Sequence, residues 1–160
     1  MWRSVPLVGH QAWVQTAHFS ADGQNIVSVC LQGGTKVWDA ASGRLRSSLG
    51  GGGIHPSGLS APQGHRVATL VAPDTVRLWD GDTGAPTSPP ARFDEPIRNM
   101  QLSPDGTVLA IGCNSGRIHL WNTTTFSEPR PALQTRGWIR SLVFTPDGER
   151  LMAGTSEGVV

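Results

Sequence analysis

The chain has 160 residues, 38% of them hydrophobic, which is enough for one globular domain with a sizeable core. Charged residues make up 16% and the formal net charge is +1, so the protein has no long-range field to attract nucleic acid or an anionic membrane. Two cysteines, Cys30 and Cys113, cannot form a disulfide framework, and the first ten residues lack the apolar core of a signal peptide. We therefore expect a cytoplasmic protein that binds neither nucleic acid nor membrane.

The predicted elements, taken in chain order, repeat one series of short strands. An apolar strand precedes each Gly turn, and a second strand, such as 26–29 or 108–111, follows it. A turn rich in Gly or Asp then leads into a third strand that ends at a Trp, and an outer strand closes the unit. Four strands in ~40–45 residues is the size of one β-propeller blade.

The spacing of Trp and Gly residues shows that these units are internal repeats. Trp38, Trp79 and Trp121 recur at a nearly constant interval, and each is followed by Asp or Asn. A glycine stands at one fixed distance before each of them, at Gly23, Gly64 and Gly106. A fixed period of about 40 positions is typical of propeller architectures.

The motifs that carry these spacings resemble the WD-repeat family. They run from Gly9-His10 through the turn at Gly23 to Trp38-Asp39, and again through Leu78-Trp79-Asp80. The resemblance covers essentially the whole chain and implies an all-β propeller with blades at approximately 9–50, 51–91, 92–132 and 133–160. The last blade is incomplete, which predicts an open arc or a part of a larger propeller. Residues 1–8 align with an outer strand of an adjoining or closing blade.

The resemblance also assigns structural roles. In the family each blade is braced by hydrogen bonds among a His, a Ser or Thr, an Asp and the Trp. Gln32 stands in place of the Asp, and the third repeat has Phe93 and Ile111 in place of His and Ser. No repeat holds the full set, so we expect apolar packing to dominate and the first repeat's His to be partly solvated. The residues carried over by position are His10, Ser28, Trp38, Trp79 and Trp121.

No pattern of catalytic or ligand residues stands out. The five His residues show no metal-ligand spacing, and Gly50 to Gly53 lack the Lys of a phosphate loop. Asp105 and Asp147 occupy equivalent turns, which indicates turn residues rather than paired carboxylates. We therefore predict no enzyme, no metal and no cofactor. The Gly and Pro residues of segment 50–64 predict that the second blade is the weakest.

Two pairs of equivalent residues are the candidates for partner binding. Trp13 and Trp138 stand ten residues before a turn Gly, and Arg98 and Arg140 stand eight residues before one. In WD-repeat proteins this position lies near the rim of the face that usually binds partners, and Trp and Arg dominate interface hot spots. The alternative is that both Trp rings pack into their own loops.

The sequence thus predicts a scaffold that presents propeller loops to a partner protein or peptide. Its Thr83-Gly84 turn and Pro-rich outer strand resemble repeats of large bacterial proteins. One alternative is therefore the sensing or docking portion of a bacterial signalling protein linked to a kinase or ATPase. A less favoured one is an enzyme that uses the central channel. Unpaired strands at both ends also predict self-association.

Overall fold

The computed structural model describes residues 4–20, 23–30, 34–49, 66–128 and 131–158, and the backbone of 58–60 and 159. The described residues are strands and turns, with no helix long and apolar enough to cross a membrane. The strands are β1 (Val14–Phe19), β2 (Asn25–Cys30), β3 (Thr35–Asp39), β4 (Leu45–Leu49), β5 (Gly58–Ser60), β6 (Arg66–Ala72), β7 (Thr75–Asp80), β8 (Ala91–Arg92), β9 (Ile97–Leu102), β10 (Val108–Cys113), β11 (Arg117–Asn122), β12 (Leu133–Gln134), β13 (Ile139–Phe144), β14 (Leu151–Thr155) and β15 (Gly158–Val159).

Four separate antiparallel sheets form the blades, and each pairs its strands in chain order. The first three contain β1–β4, β5–β8 and β9–β12, and the fourth contains β13–β15. Sequential antiparallel pairing is what short turns between consecutive strands favour. The predicted all-β propeller fold, in an open arrangement, is confirmed, and the last sheet has three strands among the described residues.

The blades pack face to face through three apolar clusters. Residues of β6 and β7, including Leu78, meet Met100 and Leu102 of the third blade in the largest cluster. A second cluster joins Val27 of the first blade to Val67 and Trp79 of the second, and a third joins blades three and four. Alternate residues of each strand point to opposite faces, so every inner blade is apolar on both sides.

The turn between the first two strands of a blade depends on a glycine with positive φ. Gly106 (φ 70) and Gly148 (φ 74) adopt the left-handed conformation. Asp105 accepts a hydrogen bond from the Ser103 hydroxyl at 2.6 Å and from the Thr107 N–H at 3.0 Å, and Asp147 accepts one from Thr145. These carboxylates hold turns of separate blades, as the repeat predicts.

Residues 4–8 precede the first strand, and Val5 and Pro6 lie against Gly43 in the turn between β3 and β4. The expectation that residues 1–8 are an outer strand of an adjoining or closing blade stays a prediction. A short β strand needs a partner, and none of the described strands pairs with this segment. The predicted weak segment 50–64 lies outside the described residues, apart from the three-residue strand β5.

Candidate functional site

The backbone of Trp138 is fixed by the neighbouring turn, while its side chain is exposed. The Trp138 N–H donates to the Ser156 hydroxyl at 3.2 Å, and the Ser156 N–H donates to the Trp138 carbonyl at 3.0 Å. Gly137 (φ 74) precedes it, and a β-carbon there would collide with the Ser156 hydroxyl. Trp138 is nevertheless 42% exposed, so a rigid backbone presents an indole to solvent.

Two guanidinium groups lie within cation–π distance of this indole. The Arg140 Cζ lies 4.6 Å from the ring centroid, and the Arg98 Cζ, from the third blade, lies 5.9 Å from it. Arg98 is positioned by its Nε–H, which donates to the Asn114 Oδ1 at 3.0 Å. Cation–π contacts at exposed sites contribute about 0.5–1 kcal/mol each.

Neither arginine has a carboxylate partner within the part of the chain that the structure describes. The nearest acid in sequence, Glu95, is occupied elsewhere: it accepts hydrogen bonds from Ser115 and lies 3.8 Å from Arg117. The surface formed by Arg98, Trp138 and Arg140, called the Trp138 surface below, therefore combines one apolar ring with two cations.

Trp13 does not join this cluster. It lies in the first blade and is 82% exposed, and no described ring or cation–π contact connects it with Trp138. Both Trp side chains are exposed, so the alternative that they pack inside their own loops does not hold. The structure thus brings together three of the four predicted binding residues.

The predicted bracing residues of the first two blades form hydrogen bonds around a buried Trp. The Trp38 indole N–H donates to the Ser28 hydroxyl at 2.7 Å, and the His10 Nε2 lies 2.6 Å from the same oxygen. In the second blade, the Trp79 indole N–H donates to the Thr69 hydroxyl at 2.8 Å. A hydroxyl at the same position of the second strand thus accepts the indole in both blades.

The third blade replaces this network by ring packing. Phe93, which stands at the position of His10, lies edge-on to Trp121 with ring centroids 6.4 Å apart. Phe126 covers Trp121 from a centroid distance of 6.2 Å. Trp121 is 6% exposed, and the preferred edge-to-face geometry contributes stabilisation beyond that of its burial.

His10 is half-buried and its Nδ1 has no hydrogen-bond partner. Burial, and then the nearby charge of Lys36, lower the pKa of His10 below its usual value of 6.5. Both causes disfavour the imidazolium form, so the neutral ring is the one that fits against Ser28 and Trp38.

Sequence reasoning missed a groove of about 370 Å³ on the outer rim between the second and third blades. Its lining includes Phe93, His119 and Glu128, and the His119 Nδ1 lies 3.0 Å from a Glu128 oxygen. The signal in the sequence was Phe93 at the position of the bracing His. Phe93 and Phe126 of the outer loop both pack on Trp121 and line the groove.

No group of three His, Cys, Asp or Glu side chains in the described ranges could hold a metal ion. Burial raises the pKa of the Cys113 thiol to about 12, so this thiol is not a ready nucleophile.

Comparisons with known proteins agree with this architecture. A family model described as WD domain, G-beta repeat, matches residues 3–39 and 89–122. No curated protein sequence matches the chain. The crystal structure of the computationally designed Ika4 protein is similar over 100% of this chain and 97% of that chain, with a TM-score of 0.80 and 24% sequence identity. At that identity the similarity concerns the fold.

Proposed function

We propose that this chain, which matches the WD-repeat family model over residues 3–39 and 89–122, is a non-catalytic scaffold that binds a partner protein or peptide through the Trp138 surface. WD-repeat domains generally mediate contacts between proteins. The observation that carries the proposal is an exposed indole within cation–π distance of two guanidinium groups that lack carboxylate partners among the described residues.

The chemistry of the surface defines the partner. An indole offers a large, rigid apolar contact, and Trp and Arg are the residues most enriched in binding hot spots. A guanidinium binds a carboxylate through two parallel hydrogen bonds. We therefore infer that the partner presents an Asp or Glu next to an apolar or aromatic side chain, in a loop or an extended segment.

The rigidity of the surface favours affinity. The Trp138 backbone is tied to Ser156, and the Asn99 amide donates to the Arg140 backbone carbonyl at 3.4 Å. The Arg98 guanidinium is positioned by the Asn114 side chain. Groups that are already ordered lose less conformational entropy on binding.

Peptides selected from a display library against the whole chain test the proposal. Selected peptides should be enriched in an acid beside an apolar residue, and their affinity should fall with salt because the contact is partly ionic. Fluorescence polarisation should give a dissociation constant about 30-fold weaker for Trp138→Ala, which corresponds to the ~2 kcal/mol of a hot spot. Arg98→Ala and Arg140→Ala should also weaken binding.

Two further variants sharpen the result. Arg140→Lys keeps the charge but loses the planar fork, and should bind less tightly than the wild type and more tightly than Arg140→Ala. Arg44→Ala, an exposed arginine beside the outer strand of the first blade, is the matched control and should bind normally. Trp13→Ala weakens only a partner long enough to reach the first blade. Normal binding by all three alanine variants of the Trp138 surface would refute the site.

A further inference from the structure

The groove between the second and third blades contains a backbone conformation that is unusual for a residue with a side chain. Gly43 and Gly84 close the turn after the third strand in the first two blades, with φ 70 and 72. Phe126 takes the same repeat position with φ 54. A β-carbon in this conformation approaches the following carbonyl oxygen, so Phe126 carries backbone strain that a glycine would avoid. We call the groove, whose lining includes Phe93, Asp94, Phe126 and Glu128, the rim groove.

The strained turn places an aromatic ring on the wall of the rim groove. The Phe126 ring packs on Trp121 with ring centroids 6.2 Å apart, and the residue is still 38% exposed. Phe93 lines the same groove and contacts the His119 ring at a centroid distance of 5.1 Å. The rim groove is therefore lined by aromatic rings that remain in part accessible from outside.

A carboxylate stands in the rim groove where the first two blades are apolar. Glu128 takes the repeat position of Leu45 and Pro86, at the same intervals that separate the blade Trp residues. Its Oε1 lies 3.0 Å from the His119 Nδ1, and this contact orients the carboxylate. Burial of Trp121 accounts for the two phenylalanines that pack on it, but it does not require a charge. Glu128 therefore gives the groove a chemical preference.

The rim groove carries negative charge that the described cations around it do not balance. Asp94 is exposed in the lining, and it has no hydrogen-bond or ion-pair partner within the described residues. Arg92 also lines the groove, but its Nε–H donates to the Asp74 Oδ2 at 2.8 Å, so a carboxylate outside the groove matches its charge. Asp94 and Glu128 are thus left with only the His119 ring between them and a cation from outside.

Prolines in the wall favour recognition through a side chain. Pro89 and Pro90 line the rim groove on the second blade and are exposed. Proline has no N–H, so this stretch cannot donate the hydrogen bonds that would add a partner strand to the blade. A partner lying along the rim is therefore bound through side chains that enter the groove.

We propose that the rim groove binds a basic side chain, Lys or Arg, of a partner protein. The volume of about 370 Å³ is at the small end for ligand sites and suits one long side chain. Such a side chain has an apolar stem and a charged head, so its stem packs on Phe93 and Phe126 while its head pairs with Asp94 and Glu128. A cation is also attracted to the faces of aromatic rings.

Charge decides against other occupants. An acidic side chain would meet the two carboxylates as like charges, and an apolar one would remove them from water without a partner. The Trp138 surface has the opposite preference, because its two guanidinium groups attract a carboxylate. The two sites therefore bind different segments, and each stands without the other.

Titration of the isotopically labelled whole chain with four short peptides tests the proposal by nuclear magnetic resonance. The peptides are acetyl-Gly-Gly-X-Gly-Gly-amide, in which X is Lys, Arg, norleucine or Glu. The Lys and Arg peptides should shift the amide signals of residues 126–128 and the Trp121 indole N–H signal, and the shifts should saturate. The norleucine peptide keeps the apolar stem without the charge and should bind about tenfold more weakly. The Glu peptide should leave these signals unchanged.

Variants assign the binding to the rim groove. Glu128→Gln and Asp94→Asn keep the size of the side chain and remove its charge, so each should bind the Lys peptide about threefold more weakly. Glu149→Gln removes an exposed acid from the turn between β13 and β14 and is the matched control that should bind normally.

Phe126→Gly separates binding from folding. It removes the ring and gives the turn the residue that the first two blades use, so circular dichroism should show a folded chain. The Lys peptide should nevertheless no longer saturate the groove signals.

Trp138→Ala separates this proposal from that for the Trp138 surface, because it should bind the Lys peptide as the wild type does. Equal affinities for the Lys and norleucine peptides would overturn the proposal, and so would equal effects of Glu128→Gln and Glu149→Gln. Groove signals that move with the concentration of the protein alone would also overturn it, because a second copy of the chain would then occupy the groove.

Discussion

Gly112 of the third blade lies directly against Ile139 of the fourth. A β-carbon on Gly112 would fall 2.5 Å from the Ile139 Cγ2 and 2.8 Å from its Cβ. Ile139 is 1% exposed and packs with Ala110 and Ile118, so it has no room to withdraw. The missing side chain at Gly112 therefore sets how closely the two blades approach.

Gly112→Ala should destabilise the protein by about 1–3 kcal/mol, the usual cost of overpacking a close contact. Urea denaturation measures the change. Ile139→Ala removes the Cγ2 atom that the new methyl group would approach most closely and leaves the Cβ at 2.8 Å, so the double variant should relieve part of the clash and be more stable than the two separate losses predict. Strictly additive losses would mean that the methyl group does not meet Ile139.

Trp121→Ala should lower the free energy of unfolding by about 3–5 kcal/mol, since it leaves a large cavity between Phe93 and Phe126. Trp13→Ala is the control, because Trp13 is 82% exposed and its loss should change stability by no more than about 0.5 kcal/mol. Thermal and chemical denaturation should agree. Equal midpoints for both variants would show that Trp121 does not hold the third blade.

Ser28→Ala should cost about 1–3 kcal/mol, because it leaves the buried Trp38 indole N–H without an acceptor. Thr69→Val tests the same bond in the second blade with almost no change in shape. Ser48→Ala removes a hydroxyl that meets the exposed Lys36 ammonium at 2.9 Å, and should be near neutral. If Ser28→Ala is as mild as Ser48→Ala, the indole finds another acceptor.

Stability should fall as the pH drops below 6.5, the usual pKa of a His side chain. The pKa of His10 is lowered in the folded protein, so as the pH falls the unfolded chain takes up the proton first and protonation stabilises the unfolded state. The contribution is therefore fully present above pH 6.5 and is lost as the pH falls towards the lower folded pKa. Unfolding free energies of the wild type and His10→Gln, measured from pH 8 to pH 5, should show a difference that narrows at low pH. A constant difference would mean that His10 titrates alike in both states.

The pH range of this loss distinguishes the contribution of His10 to stability from that of the carboxylates. Hydrogen bonds lower the pKa of Asp105, first from Ser103, and that of Asp147, first from Thr145. Their stabilisation is lost only as the pH falls below the usual Asp value of 3.8.

The sequence by itself determined the strands, their order and the buried Trp residues of the blades. A glycine at a constant distance before a Trp fixes a turn and a strand length, and alternation of apolar residues fixes which side of the strand is buried. These are local properties, so each repeat carries them independently. Even the substitution of Phe93 for the bracing His was visible before its contact with Trp121 was known.

Only the tertiary structure decided which equivalent positions are covered and which side chains meet. Phe19 and Leu102 share a repeat position, and both are apolar, yet they are 64% and 1% exposed. Leu102 packs against the second blade, whereas no described blade covers Phe19. Arg98 reaches Trp138 from a different blade, which no spacing within one repeat indicates. Burial and contacts between blades depend on the neighbours that the fold supplies, and a repeat read alone contains no information about its neighbours.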